Sequence, residues 1–135
     1  MLFTALKPSN NVFAFLGNNT NDQTPAGVVA TIKLHYADGT SDTIVTDASW
    51  KTLRGVAPPE SFVEANFDDS AWTSAVVQGA PSHTALPPVL SLNQSTWIWT
   101  SEPQGSPTNI GSRAFRKTIS DCTKRAVCAT VVIVA

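Results

Sequence analysis

Hydrophobic and polar side chains alternate along residues 28–36, VVATIKLHY, as expected of a half-buried β-strand. Every second position is apolar, which predicts one buried face made of Val28, Ala30, Ile32, Leu34 and Tyr36. The side chains between them, Thr31, Lys33 and His35, are predicted to face solvent. Asp38-Gly39 follows and predicts a two-residue hairpin turn with positive φ at both positions, which returns the chain as a second strand over residues 41–46.

Further short runs rich in β-branched and aromatic residues predict five more strands, separated by turn residues and proline-rich connectors. They are NVFAFLG (11–17), SAVVQG (74–79), TWIWT (96–100), RAFRKTI (113–119) and AVCATVVIVA (126–135). No window sustains a helical period. Residues 1–135 are therefore predicted to form a single all-β domain, an antiparallel β-sandwich.

Composition and charge restrict the classes of partner. Only 14% of the residues are charged and the formal net charge is -1, so nothing favours a nucleic acid or an anionic membrane as partner. No segment is long enough to cross a bilayer. The low charge and abundant small polar residues are typical of secreted β domains, and the glycosylation acceptors Asn18 and Asn93 are compatible with an extracellular location.

The cysteines and histidines do not form a recognisable chemical motif. Cys122 and Cys128 either form one local disulfide or serve as a loop thiol and a buried strand residue. His35 and His83 lie beside no nucleophile motif, and no metal-ligand spacing or phosphate-binding loop is present. We therefore expect no enzyme activity, no metal and no cofactor.

An aspartate precedes a tryptophan by three residues twice, at Asp47–Trp50 and Asp69–Trp72. A turn aspartate accepts backbone N–H groups two residues ahead, so we interpret each unit as a turn that directs a buried tryptophan back over the sheet. The alternative is that Asp68 or Asp69 is a catalytic carboxylate, which needs a second acid across a cleft. We favour the structural interpretation.

The order of FDDSAW, a proline-rich loop, TWIWTSE and GSRAFRKTI resembles that of galactose-binding-like jelly-roll domains, over residues 10–134. Such domains accompany glycoside hydrolases, α-L-rhamnosidases among them, and occur in fungal lectin-like proteins. The resemblance implies a non-catalytic jelly-roll β-sandwich that either binds sugars or braces a neighbouring catalytic domain.

The chain departs from that pattern in its order. In the family, the strand that RAFRKTI resembles and the apolar strand after it lead into a central hairpin, and the segment that LKPSNNVFAFLGNNT resembles follows that hairpin. Here LKPSNNVFAFLGNNT stands at the N-terminus instead, and the central hairpin is missing. The resemblance therefore implies a domain that is either circularly permuted or lacks a central hairpin. We expect residues 127–134 to be largely buried in a sheet, paired with the strand around NVFAFLG or with another molecule, with the termini close together.

The WIW segment is the best candidate for ligand recognition. On a strand, Trp97 and Trp99 share one face, where they form either a platform for pyranose rings or part of the core, and the core is favoured. Arg113 and Arg116 are candidates to hydrogen-bond sugar hydroxyls or carboxylates. Two functions are expected. The first is a lectin-like module that binds glycans through these four residues. The second is a structural accessory domain, or a fragment of a larger glycoside hydrolase, that binds no sugar and packs against a neighbouring domain or another copy of itself.

Overall fold

The computed structural model describes residues 2–7, 10–21, 26–80, 90–102, 110–119 and 123–135. Within these ranges the chain is all-β, with one short 3-10 helix at Glu60–Val63. No helix in the described ranges is long and apolar enough to span a bilayer. The strands are β1 Leu2–Ala5, β2 Asn11–Asn19, β3 Val29–Tyr36, β4 Ser41–Val45, β5 Lys51–Thr52, β6 Thr73–Ser74, β7 Val76–Gly79, β8 Trp97–Trp99, β9 Gly111–Ile119 and β10 Ala126–Val134.

The described strands form two four-stranded sheets and one two-stranded ribbon, and every strand pair is antiparallel. The first sheet has the order β1-β10-β3-β4, the second has the order β2-β9-β5-β6, and the ribbon is β7-β8. Two backbone hydrogen bonds between Val28 and Ile98, of 3.0 and 2.9 Å, connect the ribbon to the start of β3. The ribbon is thereby held to the first sheet.

One hydrophobic cluster draws side chains from both four-stranded sheets and from the ribbon. The ring of Phe15 on β2 stacks on Trp50 with a centroid distance of 5.0 Å, and Trp99 on β8 lies 5.4 Å from Phe115 on β9. Ile32 on β3 is fully buried in the same cluster. The antiparallel architecture with this shared core is β-sandwich-like, as the sequence predicted.

All seven predicted strands are present, with bounds that differ by a few residues at most. The strands that the pattern missed, β1, β5 and β6, are two to four residues long. Runs this short cannot show an alternation of side chains. Strands β1 and β5 instead pair with longer strands, β1 with β10 and β5 with β9. In β5, Lys51 and Thr52 pair with Arg116 and Phe115.

The predicted buried face of β3 is confirmed, because all five of its apolar side chains are buried. The prediction that Thr31 faces solvent is wrong. Thr31 is 2% exposed, its hydroxyl donates to the carbonyl of Ser91 at 2.9 Å, and it lies 2.6 Å from the hydroxyl of Ser95. The loop that carries these serines covers this face and provides hydrogen-bond partners, so the threonine is buried without an unsatisfied polar group.

The β3–β4 hairpin has a three-residue loop, not the predicted two-residue one. Gly39 N–H donates to the carbonyl of Tyr36 at 3.1 Å, and Tyr36 N–H donates to that of Thr40 at 3.0 Å. Gly39 has φ of +81°, whereas Asp38 does not adopt a positive φ. This loop type needs a positive φ only at its last residue, which is Gly39. The Asp38 carboxylate stabilises the loop by accepting the Thr40 N–H at 2.9 Å.

The C-terminal strand β10 lies inside the first sheet, between β1 and β3. Leu2 is opposite Val131, which confirms that the two terminal strands are neighbours. The predicted pairing with residues 11–17 is wrong, because that segment is β2 and pairs with β9. β10 is only partly buried: it extends past the short β1, and Ile133 and Val134 are exposed there.

Both Asp-x-x-Trp units close a turn and bury the tryptophan, as predicted. The Trp50 N–H donates to the carbonyl of Asp47 at 3.3 Å, and the Trp72 N–H donates to that of Asp69 at 3.0 Å. Trp50 is fully buried and Trp72 is 6% exposed. The Trp50 indole also donates to the carbonyl of Val45 at 2.9 Å, which satisfies its buried N–H.

The two turns differ in which aspartate side chain caps them. Asp47 accepts the N–H of Ser49 at 2.8 Å, two residues ahead. In the second unit the prediction that the Asp69 side chain caps the turn is wrong, because Asp68 accepts the N–H of Ser70 at 2.9 Å instead. The Asp69 carboxylate is therefore available for a different contact, described below.

Candidate functional site

A cleft of about 520 Å³ lies where the end of β2 meets the β7–β8 ribbon. Its described lining comprises residues 17–21, 26–27, 78–80, 97, 99 and 135. The size is within the range of small-molecule sites, roughly 300 to 1,000 Å³. Because β2 is an edge strand of the second sheet and β8 is bonded to the first, the cleft opens at one end of the sandwich-like core.

Trp97 provides the aromatic surface of this cleft. Its side chain is half-buried, and it pairs with Gly79 across the ribbon. The backbone of Gly27 lies against the indole, since a Cβ atom at that glycine would be 2.8 Å from Cε3 of the ring. The ring is thus supported by close backbone packing while part of it remains accessible in the cleft.

Trp99 borders the same cleft but belongs to the core. It is 1% exposed and packs beside Phe115 at a tilt of 45°. A Cβ atom at Gly17 would be 2.9 Å from its Cζ3 atom, which shows how closely β2 approaches this ring. Of the two tryptophans brought to the cleft, Trp97 alone presents an accessible ring, and Trp99 supports the wall behind it.

Amide side chains surround the aromatic surface. Asn18, Asn21 and Gln78 are exposed in the cleft, and Asn19 is buried there. The Oδ1 atom of Asn19 accepts the N–H of Asn21 at 3.2 Å, which shapes the turn after β2. An amide side chain carries two N–H donors and a carbonyl acceptor, so it can bond hydroxyl groups in either direction.

Arg113 is not part of this cleft. Its guanidinium donates two hydrogen bonds to Glu102, from Nε at 2.8 Å and from Nη2 at 3.0 Å, and both side chains are buried. The Thr100 hydroxyl donates to the same carboxylate at 2.5 Å. This pair borders a separate cleft of about 570 Å³, whose wall includes Arg54.

The pKa of Glu102 reflects two opposed effects. Burial disfavours the charged form and would raise the pKa, but the hydrogen bonds from Arg113 and Thr100 and the positive charges of Arg113 and Arg54 outweigh it. The pKa of Glu102 is therefore held below its ordinary value of 4.5. The carboxylate is ionised at neutral pH and paired with Arg113, so this pair holds β9 to the segment that follows β8.

Arg116 is buried in a different cluster. It pairs with the carboxylate of Asp69, and it donates to the backbone carbonyls of Phe62 at 3.1 Å and Glu64 at 2.8 Å. Its guanidinium also lies 5.6 Å from the centroid of the Phe67 ring. These contacts engage the guanidinium with the segment that connects β5 to β6, which makes Arg116 a structural clamp.

The other titratable candidates have local partners or lie elsewhere. His35 Nε2 is 3.0 Å from the Thr130 hydroxyl on β10. Hydrogen bonds from the backbone and side chain of Ser70 lower the pKa of Asp68, whereas a general acid needs a raised pKa. Cys128 is a free, half-buried thiol on β10, and Cys122 and His83 lie outside the described residues. Among the described residues no group of three His, Cys, Asp or Glu side chains is arranged to hold a metal ion.

The structure therefore brings Trp97 and Trp99 to one cleft, and its described lining includes neither Arg113 nor Arg116. The cleft residues that sequence reasoning missed are the amides Asn18, Asn21 and Gln78. The signal for the first two was the asparagine-rich segment NNTN at the end of a predicted strand, which we interpreted only as a glycosylation acceptor. No local signal identifies Gln78, because its place in the cleft depends on the pairing of β7 with β8.

Comparisons with models of protein families, with curated proteins and with solved structures found no match to this chain. The geometry of the cleft and the chemistry of its lining are accordingly the basis of the functional proposal.

Proposed function

We propose that this protein is a non-catalytic, lectin-like carbohydrate-binding module with a galactose-binding-like jelly-roll fold, and that its sugar site is the Trp97 cleft. The observation that carries the proposal is a partly accessible indole surrounded by the exposed amides of Asn18, Asn21 and Gln78. A pyranose ring has an apolar C–H face that packs on an aromatic ring and hydroxyl groups that bond to amides. Both requirements meet within one cleft.

This assignment revises the four residues expected from the sequence. Trp97 is the stacking residue, and Trp99 supports it from the core. Arg113 and Arg116 act in structural ion pairs, because Glu102 and Asp69 engage their guanidinium groups. We assign the contacts to sugar hydroxyls to the amides instead.

A glycan array with the purified protein tests the proposal, followed by titration of the glycans that bind. Removing an aromatic anchor at the centre of a site commonly costs about 2 kcal/mol, so Trp97→Ala should weaken binding roughly 30-fold or more. Trp97→Phe keeps an aromatic face and should retain part of the affinity. Far-UV circular dichroism and thermal unfolding of both variants serve as the folding control. Unchanged affinity in a folded Trp97→Ala variant would remove this cleft as the site.

We further propose that the protein acts outside the cell on glycans, and not on nucleic acids or membranes. Support comes from the low content of charged residues, the net charge of -1 and the exposed acceptor asparagine at position 93, which lies outside the Trp97 cleft. Expression in a eukaryotic secretory host, with and without a glycosidase that removes N-linked chains, tests the extracellular proposal. A mass shift at Asn93 is the expected result, whereas a glycan on Asn18 would fill the Trp97 cleft and contradict its assignment as the sugar site.

The second candidate is a structural accessory domain that binds no sugar, and a second cleft favours it. This cleft of about 890 Å³ lies beside the edge strands β1 and β2 and includes the exposed apolar side chains Val63 and Ile133. Edge strands with apolar surface nearby are suited to self-association. Under this alternative the array shows no binding, and Ile133→Glu lowers the association constant in sedimentation equilibrium while Trp97→Ala does not.

A further inference from the structure

We propose that the Trp97 cleft selects uncharged sugars and discriminates against sugars that carry a carboxylate or sulfate. This inference rests on the proposed function and specifies its ligand class. The observation is that every described side chain that lines the cleft is uncharged: the polar ones are asparagine, threonine and glutamine, and the others are glycine, alanine and tryptophan. From the sequence, Arg113 and Arg116 were candidates to hydrogen-bond either sugar hydroxyls or carboxylates.

The arginines expected to meet a carboxylate are engaged elsewhere. Arg113 donates two hydrogen bonds to Glu102, and Arg116 pairs with Asp69, and neither lines this cleft. A sugar carboxylate that enters the cleft loses part of its hydration, and no cationic side chain in the described lining compensates for that loss. Desolvation is therefore more costly for an acidic sugar than for a neutral sugar, whose hydroxyl groups can be hydrogen-bonded by the amides.

The amides suit neutral hydroxyl groups for the same reason. Asn18, Asn21 and Gln78 are exposed at the cleft surface, and an amide group carries both N–H donors and a carbonyl acceptor. The carbonyl oxygen of Asn18 also accepts from the Ser112 hydroxyl at 3.4 Å. A hydroxyl group can donate to the amide carbonyl and accept from the amide N–H, so both partners are satisfied without a net charge. A carboxylate accepts only, so it can bond the amide N–H groups but leaves the amide carbonyls without a donor.

Matched sugar pairs test this selection, because they differ only by oxidation of the 6-hydroxymethyl group to a carboxylate. Methyl galactoside and methyl glucoside are titrated beside the corresponding methyl uronides, after a glycan array that contains both neutral and acidic glycans. We expect array signals from neutral glycans, and affinity for each uronide lower by about tenfold or more than for its neutral partner. A uronide that binds as tightly as its neutral partner overturns the selection but leaves sugar binding intact. No binding of any glycan overturns the proposed function, and the selection with it.

A charge introduced into the cleft tests the cause of the selection. Gln78→Lys places an ammonium group in the lining and should raise affinity for the uronide relative to the unmodified protein. Gln94→Lys is the matched control, because Gln94 is exposed on the loop before β8 and does not line the cleft. It should leave the ratio of uronide to neutral affinity unchanged. If Gln78→Lys leaves that ratio unchanged as well, the missing cation is not the basis of selection and the inference fails.

Discussion

Arg116 on β9 pairs with Asp69 in the turn before Trp72, so one ion pair ties the second sheet to the segment that carries a buried tryptophan. The guanidinium is almost fully buried, and its other donors meet the carbonyls of Phe62 and Glu64. The Asp-x-x-Trp unit thus depends on a residue more than forty positions away. Because Arg116 is buried and Asp69 is partly exposed, the loss of Asp69 leaves a buried positive charge without its partner.

Arg116→Ala should lower the free energy of unfolding by about 3 to 5 kcal/mol. The change removes a buried side chain together with its ion pair to the partly exposed Asp69, and it leaves two backbone carbonyls without their donors. Lys117→Ala is the matched control. The Lys117 ammonium bonds the Ser49 hydroxyl at an exposed position, and its loss should cost less than about 1 kcal/mol. Urea titration followed by tryptophan fluorescence measures both. Equal urea midpoints for Arg116→Ala and Lys117→Ala would contradict the stabilising role of Arg116.

Trp72→Ala should cost about 3 to 5 kcal/mol, the usual range for a large aromatic side chain lost from a core. The indole is 6% exposed, stacks on Phe62 at 6.3 Å and meets the edge of Phe67 at 5.6 Å between centroids. Val77→Ala, at an exposed position on β7, should change stability by no more than about 0.5 kcal/mol. A Trp72→Ala protein that unfolds at the same denaturant concentration as the parent would show that burial of this tryptophan does not stabilise the fold.

Acidification should destabilise the protein through Glu102. Its folded-state pKa is depressed below the ordinary value of 4.5, so the stabilisation is fully present above the unfolded-state pKa and is lost as the pH falls through the folded-state pKa. Glu102→Gln lacks this titration. The difference in unfolding free energy between parent and variant should be largest at neutral pH and should shrink below pH 4.5. Denaturant titrations across this range measure it, and a difference independent of pH would be the contrary result.

Gly17→Ala should destabilise the core by about 1 to 3 kcal/mol through overpacking. The added Cβ atom would be 2.8 Å from Cγ2 of Val28 and 2.9 Å from Cζ3 of Trp99, both of which are buried. Gly27→Ala provides the contrast, because the added atom meets the half-buried ring of Trp97 at 2.8 Å. Under the proposed function, this second variant should weaken sugar binding more than it weakens folding. Thermal unfolding combined with glycan titration separates the two effects.

The strands were predictable where the alternation of side chains extends over five residues or more. Residues 28–36 show this well, since the five apolar positions of β3 are all buried. The aspartate turns before Trp50 and Trp72 were predictable for a similar reason, because a side-chain bond to a backbone N–H two residues ahead is a local interaction. Local chemistry of this kind is fully contained in the sequence.

Partners across the fold were not predictable from local patterns. The sequence led us to expect β10 beside β2, but β10 pairs with β1 and β3. The strand β1 has four residues, too few for a detectable alternation, and its pairing becomes evident only once β10 is placed. The burial of Thr31 likewise depends on the loop that carries Ser91 and Ser95, which lies about sixty positions away.

The sequence by itself determined the all-β class, the longer strands and the presence of the WIW segment on a strand, because these follow from the period of side chains along one short stretch. Tertiary structure alone decided which chemistry those residues perform. Packing against Phe115 buried Trp99 and left Trp97 partly accessible, and the partners Glu102 and Asp69 engaged the arginines that sequence reasoning had assigned to a ligand. The physical reason is that burial and ion pairing depend on distances between segments far apart in the chain, which the alternation of residues does not encode.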